Sequence, residues 1–221
     1  MLRRDYLVRM IEDMTEAVGA IFGLKQQKKH TEALWEVDDL FKRHFRLNSQ
    51  LLNSLSVKDI IDMFRLGDKV EADKLQSMAR LMKEEGLIYL DLNNNDEGLK
   101  RLMKALHLFV YSVFHGADKE LWSVDKEVSE VLEAVKGYRL PAETEKLLFR
   151  YEEQEQRFDK AEDCLFRLRK DGEIGKEEAA AYYQRLLQLD DETLERGGLP
   201  REEVLEGLEL VSGEKEASSN V

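Results

Sequence analysis

Glu127, Glu130 and Glu133 recur every three residues in a stretch without a helix breaker, a spacing that lines carboxylates along one helical face. Such a row can present oxygens to Mg²⁺, so metal-assisted hydrolysis is the first chemistry to weigh. No second acidic row stands opposite it, and a solvated helix surface shows the same spacing. Of the four histidines, His30, His44, His107 and His115, none follows a glutamate by three residues, precedes an aspartate, or has a second His or Cys one turn away. His107 therefore reads as a packing residue, and no metal is assigned. The loop Asp91-Leu92-Asn93-Asn94-Asn95-Asp96 resembles a calcium loop only until the glycine position, which is Asp96, and the bidentate glutamate position, which is Leu102, are checked. It reads instead as a turn with left-handed residues and a cap for the next helix. Cys164 is the lone cysteine, on the apolar side of a helix, so no intrachain disulfide forms and no histidine lies near it in sequence to activate it. With no Gly-rich phosphate loop and no Ser-His-Asp order, the expectation is a protein that is not an enzyme and needs no cofactor.

The elements that would carry these residues are helices. With 2 Pro and 13 Gly in 221 residues, the chain is poor in breakers, and 36% charged residues beside periodic apolar positions suit solvated helices. The fold class is all-α. A first helix over about 3–23 buries Leu7, Met10, Ile11, Met14, Val18, Ile21 and Phe22, and a second over about 28–47 buries Ala33, Val37, Leu40, Phe41 and Phe45. Ser56-Val57-Lys58-Asp59 caps a third, which Gly67-Asp68 ends. Pro141 suits the start of another helix, and Gly197-Gly198-Leu199-Pro200 breaks the chain before an acidic capping helix from Arg201 to about Val211. Residues 212–221 have almost no apolar content and read as a flexible polar tail.

The net charge is −12 but uneven. Residues 1–50 carry 9 Lys/Arg against 8 Asp/Glu, whereas residues 171–221 carry 5 against 14. An acidic end of this kind repels nucleic acid and anionic membrane. Lys25, Lys28, Lys29, Lys42, Arg43 and Arg46 around the second helix are interleaved with Glu32, Glu36, Asp38 and Asp39, which makes a solvated mixed-charge face rather than a phosphate-binding one. Asp5, Glu12, Asp13 and Glu16 interrupt the apolar runs near the N-terminus, and no apolar stretch reaches the ~18 residues of a membrane span. The expected location is the cytoplasm.

Three rows share one spacing: Ala33/Val37/Leu40, Gly98/Leu102/Ala105 and Ala161/Leu165/Leu168, each +4 and +7. They predict three units, about 3–66, 71–137 and 141–189, in which residues 49–66, 118–137 and 176–189 supply a third helix each. In the middle unit, Gly86 precedes Tyr89 by three and Gly98 leads the small/large/small row, which resembles a tetratricopeptide (TPR) helix-turn-helix. The first and third pairs place Ile21 and Phe149 where the middle one has its small residue. The resemblance implies a TPR-like α-α superhelix of degenerate helix pairs with extra third helices, forming one domain over 1–211. From Leu2-Arg3-Arg4-Asp5-Tyr6 through the Lys146 to Leu168 stretch, the chain also resembles a family of uncharacterised TPR-like proteins from Gram-positive bacteria.

TPR grooves hold ligands on the first helices of successive pairs, and the resemblance places Arg80, Lys83, Leu87, Lys146 and Arg150 at those positions. The leading expectation is therefore a non-catalytic helical-repeat scaffold or adaptor that binds a protein or peptide partner, an acidic peptide or C-terminal carboxylate fitting the basic residues. The second is a metal-dependent hydrolase, similar to nucleotide pyrophosphatases, on the same helices. The third is a purely structural homodimer.

Overall fold

A computed structural model describes residues 2–213, with side chains from residue 6. Among the described residues the chain forms twelve α-helices and one two-stranded hairpin. Its contacts divide it into two compact units, Met1–Arg139 and Leu140–Val221, with the division next to Pro141.

In the first unit, α1 (Leu2–Gln26) and α2 (His30–Leu40) pack as a hairpin. Met10, Met14, Ala17 and Ile21 from α1 and Ala33, Val37 and Leu40 from α2 are buried, the stripe that period 3.6 dictates. Where the sequence predicts a helix running to residue 47, the chain widens after Leu40 into a π-helical turn, Phe41–Phe45, closed by Arg46 in the left-handed region. That turn sets His44 Nε2 2.7 Å and Arg43 3.1 Å from the Asp13 carboxylate on α1. Lys42 pairs with Asp38 one turn earlier, so the basic residues here are matched by local acids.

The helix expected over 49–66 is two short ones, α3 (Ser49–Ser54) and α4 (Val57–Met63). The break is caused by Ser56, whose extended backbone lets its hydroxyl accept from Asp59 N while the Asp59 carboxylate accepts from Ser56 N, a full capping box. The orphan carbonyls at the end of α3 are met by Lys104, whose ammonium donates to Asn53 O at 2.8 Å and Leu55 O at 2.6 Å. A minute hairpin, β1 (Arg65–Leu66) and β2 (Lys69–Val70), follows, a departure from an all-helical chain. Gly67 at φ +60° supplies the left-handed residue its two-residue turn requires.

Helices α5 (Ala72–Asp91) and α6 (Asn95–Phe114) are the most extensive pair in the molecule. They meet at the two small residues picked out in the sequence. A Cβ on Gly98 would stand 2.6 Å from Leu90 Cδ2 and 2.9 Å from the Gly86 carbonyl, so neither glycine is there for flexibility. Asn93 takes φ +58° in the intervening turn, as expected of that loop, whereas the expected side-chain cap is absent at Asn94. Helices α1 and α2 pack against α5, and α7 (Val124–Ala134) against α6.

The second unit starts at Pro141, the N-cap of α8 (Ala142–Gln154), and pairs it with α9 (Phe158–Lys170). Phe149 is turned toward α10 (Lys176–Leu186), where its ring meets Tyr182 edge-on at 5.2 Å. A short helix not anticipated from the sequence, α11 (Asp191–Arg196), is capped by Asp190, which accepts from Thr193 N at 2.8 Å. The expected acidic helix is α12 (Arg201–Gly213). Its Gly207 packs so closely on Tyr183 that a Cβ there would stand 2.4 Å from the ring, and the Tyr183 hydroxyl donates to Glu162 on α9. The polar tail lies, from residue 214, outside the described residues.

Cys164 is 1% exposed, and burial, reinforced by the Glu145 carboxylate, pushes its thiol far above the ordinary range. Folded protein at pH 7.5 is expected to leave a chromogenic disulfide reagent unconsumed over a time in which denatured protein reacts with one equivalent. Full titration without denaturant would contradict the burial.

Candidate functional site

The residues expected to bind a partner fall into two settings. Arg80, Lys83 and Leu87 lie on α5 in the first unit. Lys83 is 1% exposed and 2.7 Å from Glu127 Oε2 on α7, and it also pairs with Glu130. Arg80 bonds Glu127 and reaches Glu84 at 3.1 Å. Burial pushes the Glu130 carboxyl up, but Lys83, Lys126 and Arg80 outweigh it and hold the group below its ordinary value. The glutamate row weighed for Mg²⁺ thus has its first two members engaged by ammonium and guanidinium groups, and Glu133 stands 3.4 Å from Lys136. On the other side of α5, Glu85 faces Arg101 of α6 at 3.0 Å and also accepts from Ser49 Oγ. These contacts join α5 to its neighbours. Leu87 is half-buried beside them.

Lys146 and Arg150 behave differently. They lie on α8 at the rim of a groove of about 560 Å³ in the second unit. Helix α8 supplies Glu143, Lys146, Leu147, Phe149, Arg150 and Glu153, positions that recur at three- and four-residue steps and so share one side of the helix. A tight connection, with Gly172 at φ +74°, then brings Ile174 to the floor and starts α10 after Gly175, so that Glu178 and Arg185 line the far wall. Phe149 and Ile174, each 6% exposed, form an apolar floor under a charged rim. Arg185 clamps Glu153 with two bonds of 2.9 Å. Lys146 stands 3.0 Å from Glu173 and 3.6 Å from Glu143, and the Glu173 carboxylate holds its ammonium above the ordinary lysine value. Arg185, Glu153, Glu143 and Glu178 were not singled out in the sequence. The signal was available, because Glu143/Arg150 and Glu178/Arg185 repeat the same seven-residue step.

Chemically, the groove offers an apolar strip bordered by hydrogen-bonding ions. A second cavity, of about 580 Å³ in the first unit, is lined by Leu7, Leu66, Lys69, Val70, Lys74 and His115 among others, and contains none of the expected binding residues. His107, half-buried, stacks on Tyr111, which stacks in turn on His115 at 3.8 Å, consistent with packing. Among the described residues no three His, Cys, Asp or Glu side chains are grouped so as to hold a metal ion, and no helix is long and apolar enough to cross a membrane.

A family model described as "Family of unknown function (DUF6483)" matches residues 1–216, and the chain belongs to that family. No curated protein and no solved structure matches it.

Proposed function

We propose that this protein is a cytoplasmic, non-catalytic binding module that docks a peptide segment of a partner protein in the groove between α8 and α10, and that its helix pairs are degenerate TPR-like units. The observation that carries the reading is the groove itself, in which Lys146 and Arg150 stand at the rim above Phe149 and Ile174. Open apolar strips bordered by ions suit a peptide whose side chains alternate between floor and rim. The close Gly86–Gly98 crossing and the buried +4/+7 rows support the TPR-like reading of the helix pairs.

Panning a displayed random-peptide library on the intact chain tests the docking. Enriched peptides should compete with one another and bind the double variant Lys146→Ala/Arg150→Ala at least about fivefold more weakly, with its circular dichroism unchanged. Failure to enrich any peptide, or equal binding by the variant, would sink the proposal.

A further inference from the structure

Helices α8 and α10 run the same way along the groove. Lys146 meets Glu173 at one end, and Arg185 meets Glu153 at the other. On each helix a carboxylate precedes a guanidinium by seven residues, Glu143 before Arg150 and Glu178 before Arg185. Seven residues at 1.5 Å rise are about 10.5 Å, or two turns, so the members of each pair lie on the same side of their helix. Because the helices are parallel, the two carboxylates gather at one end and the two guanidinium groups at the other. At the first end Lys146 meets Glu143 and Glu173, and Glu178 also lines the groove; at the second Arg185 meets Glu153, and Arg150 also lines it. The groove therefore has an acidic end and a basic end over an apolar floor.

Resting on the docking reading above, we infer that the groove selects a dipolar peptide: an extended segment with a basic residue, an apolar residue two positions on, and an acidic residue two positions beyond that. In an extended chain such side chains point the same way and span roughly 13 Å from first to last. The apolar side chain would rest on Phe149 and Ile174, the basic one would face Glu143 and Glu178, and the acidic one Arg150 and Arg185. Opposite charges at both ends fix the orientation of the segment, and a like charge at either end repels it. A uniformly acidic ligand meets repulsion at Glu143 and Glu178, so the partner differs from one that only seeks positive charge.

Three capped, fluorescently labelled heptapeptides test this, each with leucine at the centre and serine beside it. The outer positions, two residues either side of the leucine, are Lys and Glu, Lys and Lys, or Glu and Glu. Anisotropy at low salt should show the Lys/Glu peptide binding the intact chain about tenfold more tightly than either other. Arg150→Glu should transfer the preference to the Lys/Lys peptide, since the introduced carboxylate joins that of Glu153 and leaves Arg185 to oppose both at the formerly basic end. Binding of all three with equal strength, or a preference untouched by Arg150→Glu, overturns the dipolar inference and leaves peptide docking standing. No binding by any of the three also overturns it, and the library panning then decides the fate of the docking reading separately.

Discussion

Arg101→Met is expected to lower the stability of the protein by about 3–5 kcal/mol, because it leaves a buried carboxylate without its counter-ion. Arg101 is 3% exposed; its guanidinium lies 3.0 Å from Glu85, donates to Glu97 O at 2.9 Å and covers the Tyr89 ring at 4.1 Å. Burial already pushes the Glu85 carboxyl above its ordinary value, against the pull of Arg101 and the Ser49 hydroxyl. Without Arg101 that carboxyl rises further. A carboxyl whose folded pKa is raised adds stability below its unfolded value and loses it as pH climbs through the folded value. The deficit of the variant should therefore shrink as the pH is lowered from 7 toward 5. Chemical denaturation at several pH values checks both the size and the slope, and Glu85→Gln/Arg101→Met should regain part of the loss. A deficit that is small, or the same at each pH, would contradict the buried pair.

Gly98→Leu is expected to destabilise the α5–α6 crossing strongly. The first added carbon would already overlap Leu90 and press on the Gly86 backbone, which belongs to a helix and cannot turn aside like a side chain. Overpacking a well-filled core costs typically ~1–3 kcal/mol, and here α5 and α6 would have to separate along much of their length, so the upper part of that range or beyond is expected. Thermal unfolding should show a loss of several degrees or failure to fold. Gly86→Ala is a milder probe of the same crossing, since its Cβ would meet the Leu102 side chain at 2.8 Å. An unchanged transition in Gly98→Leu would mean that the two helices do not cross there.

What the sequence made legible was the apolar skeleton. Ala33, Val37, Leu40, Leu102, Ala105, Ala161, Leu165 and Leu168 are all buried, and Gly98 with them, because helical periodicity is a local property that a window of one or two turns contains in full. The charged glue was illegible. The TPR resemblance puts Lys83 on a ligand-facing surface, yet Lys83, Glu84 and Glu85 are all buried, and the partners of Lys83 lie 44 and 47 residues downstream on α7. No local pattern announces such a pairing. The candidate groove was half legible: Lys146 and Arg150 were found through the TPR resemblance, whereas Arg185 and Glu178 needed the direction of α10, which only the folded chain provides. The small β-hairpin was missed since two residues per strand are too few to show alternation.

The π turn at Phe41–Phe45 has a consequence for the length of the chain. Such a turn is an α-helical turn holding one residue more than its share, closed by bonds to the fifth rather than the fourth residue. Loss of a single residue there could be absorbed by relaxing to ordinary helix, and the segments on either side would keep the faces they bury. The same loss inside α6 would rotate everything after it by about 100°, bringing polar residues onto the buried side. The π turn is thus a place in the first unit where sequences of different length can share one architecture, lying beside Asp13, whose contacts with Arg43 and His44 would be the ones to re-form.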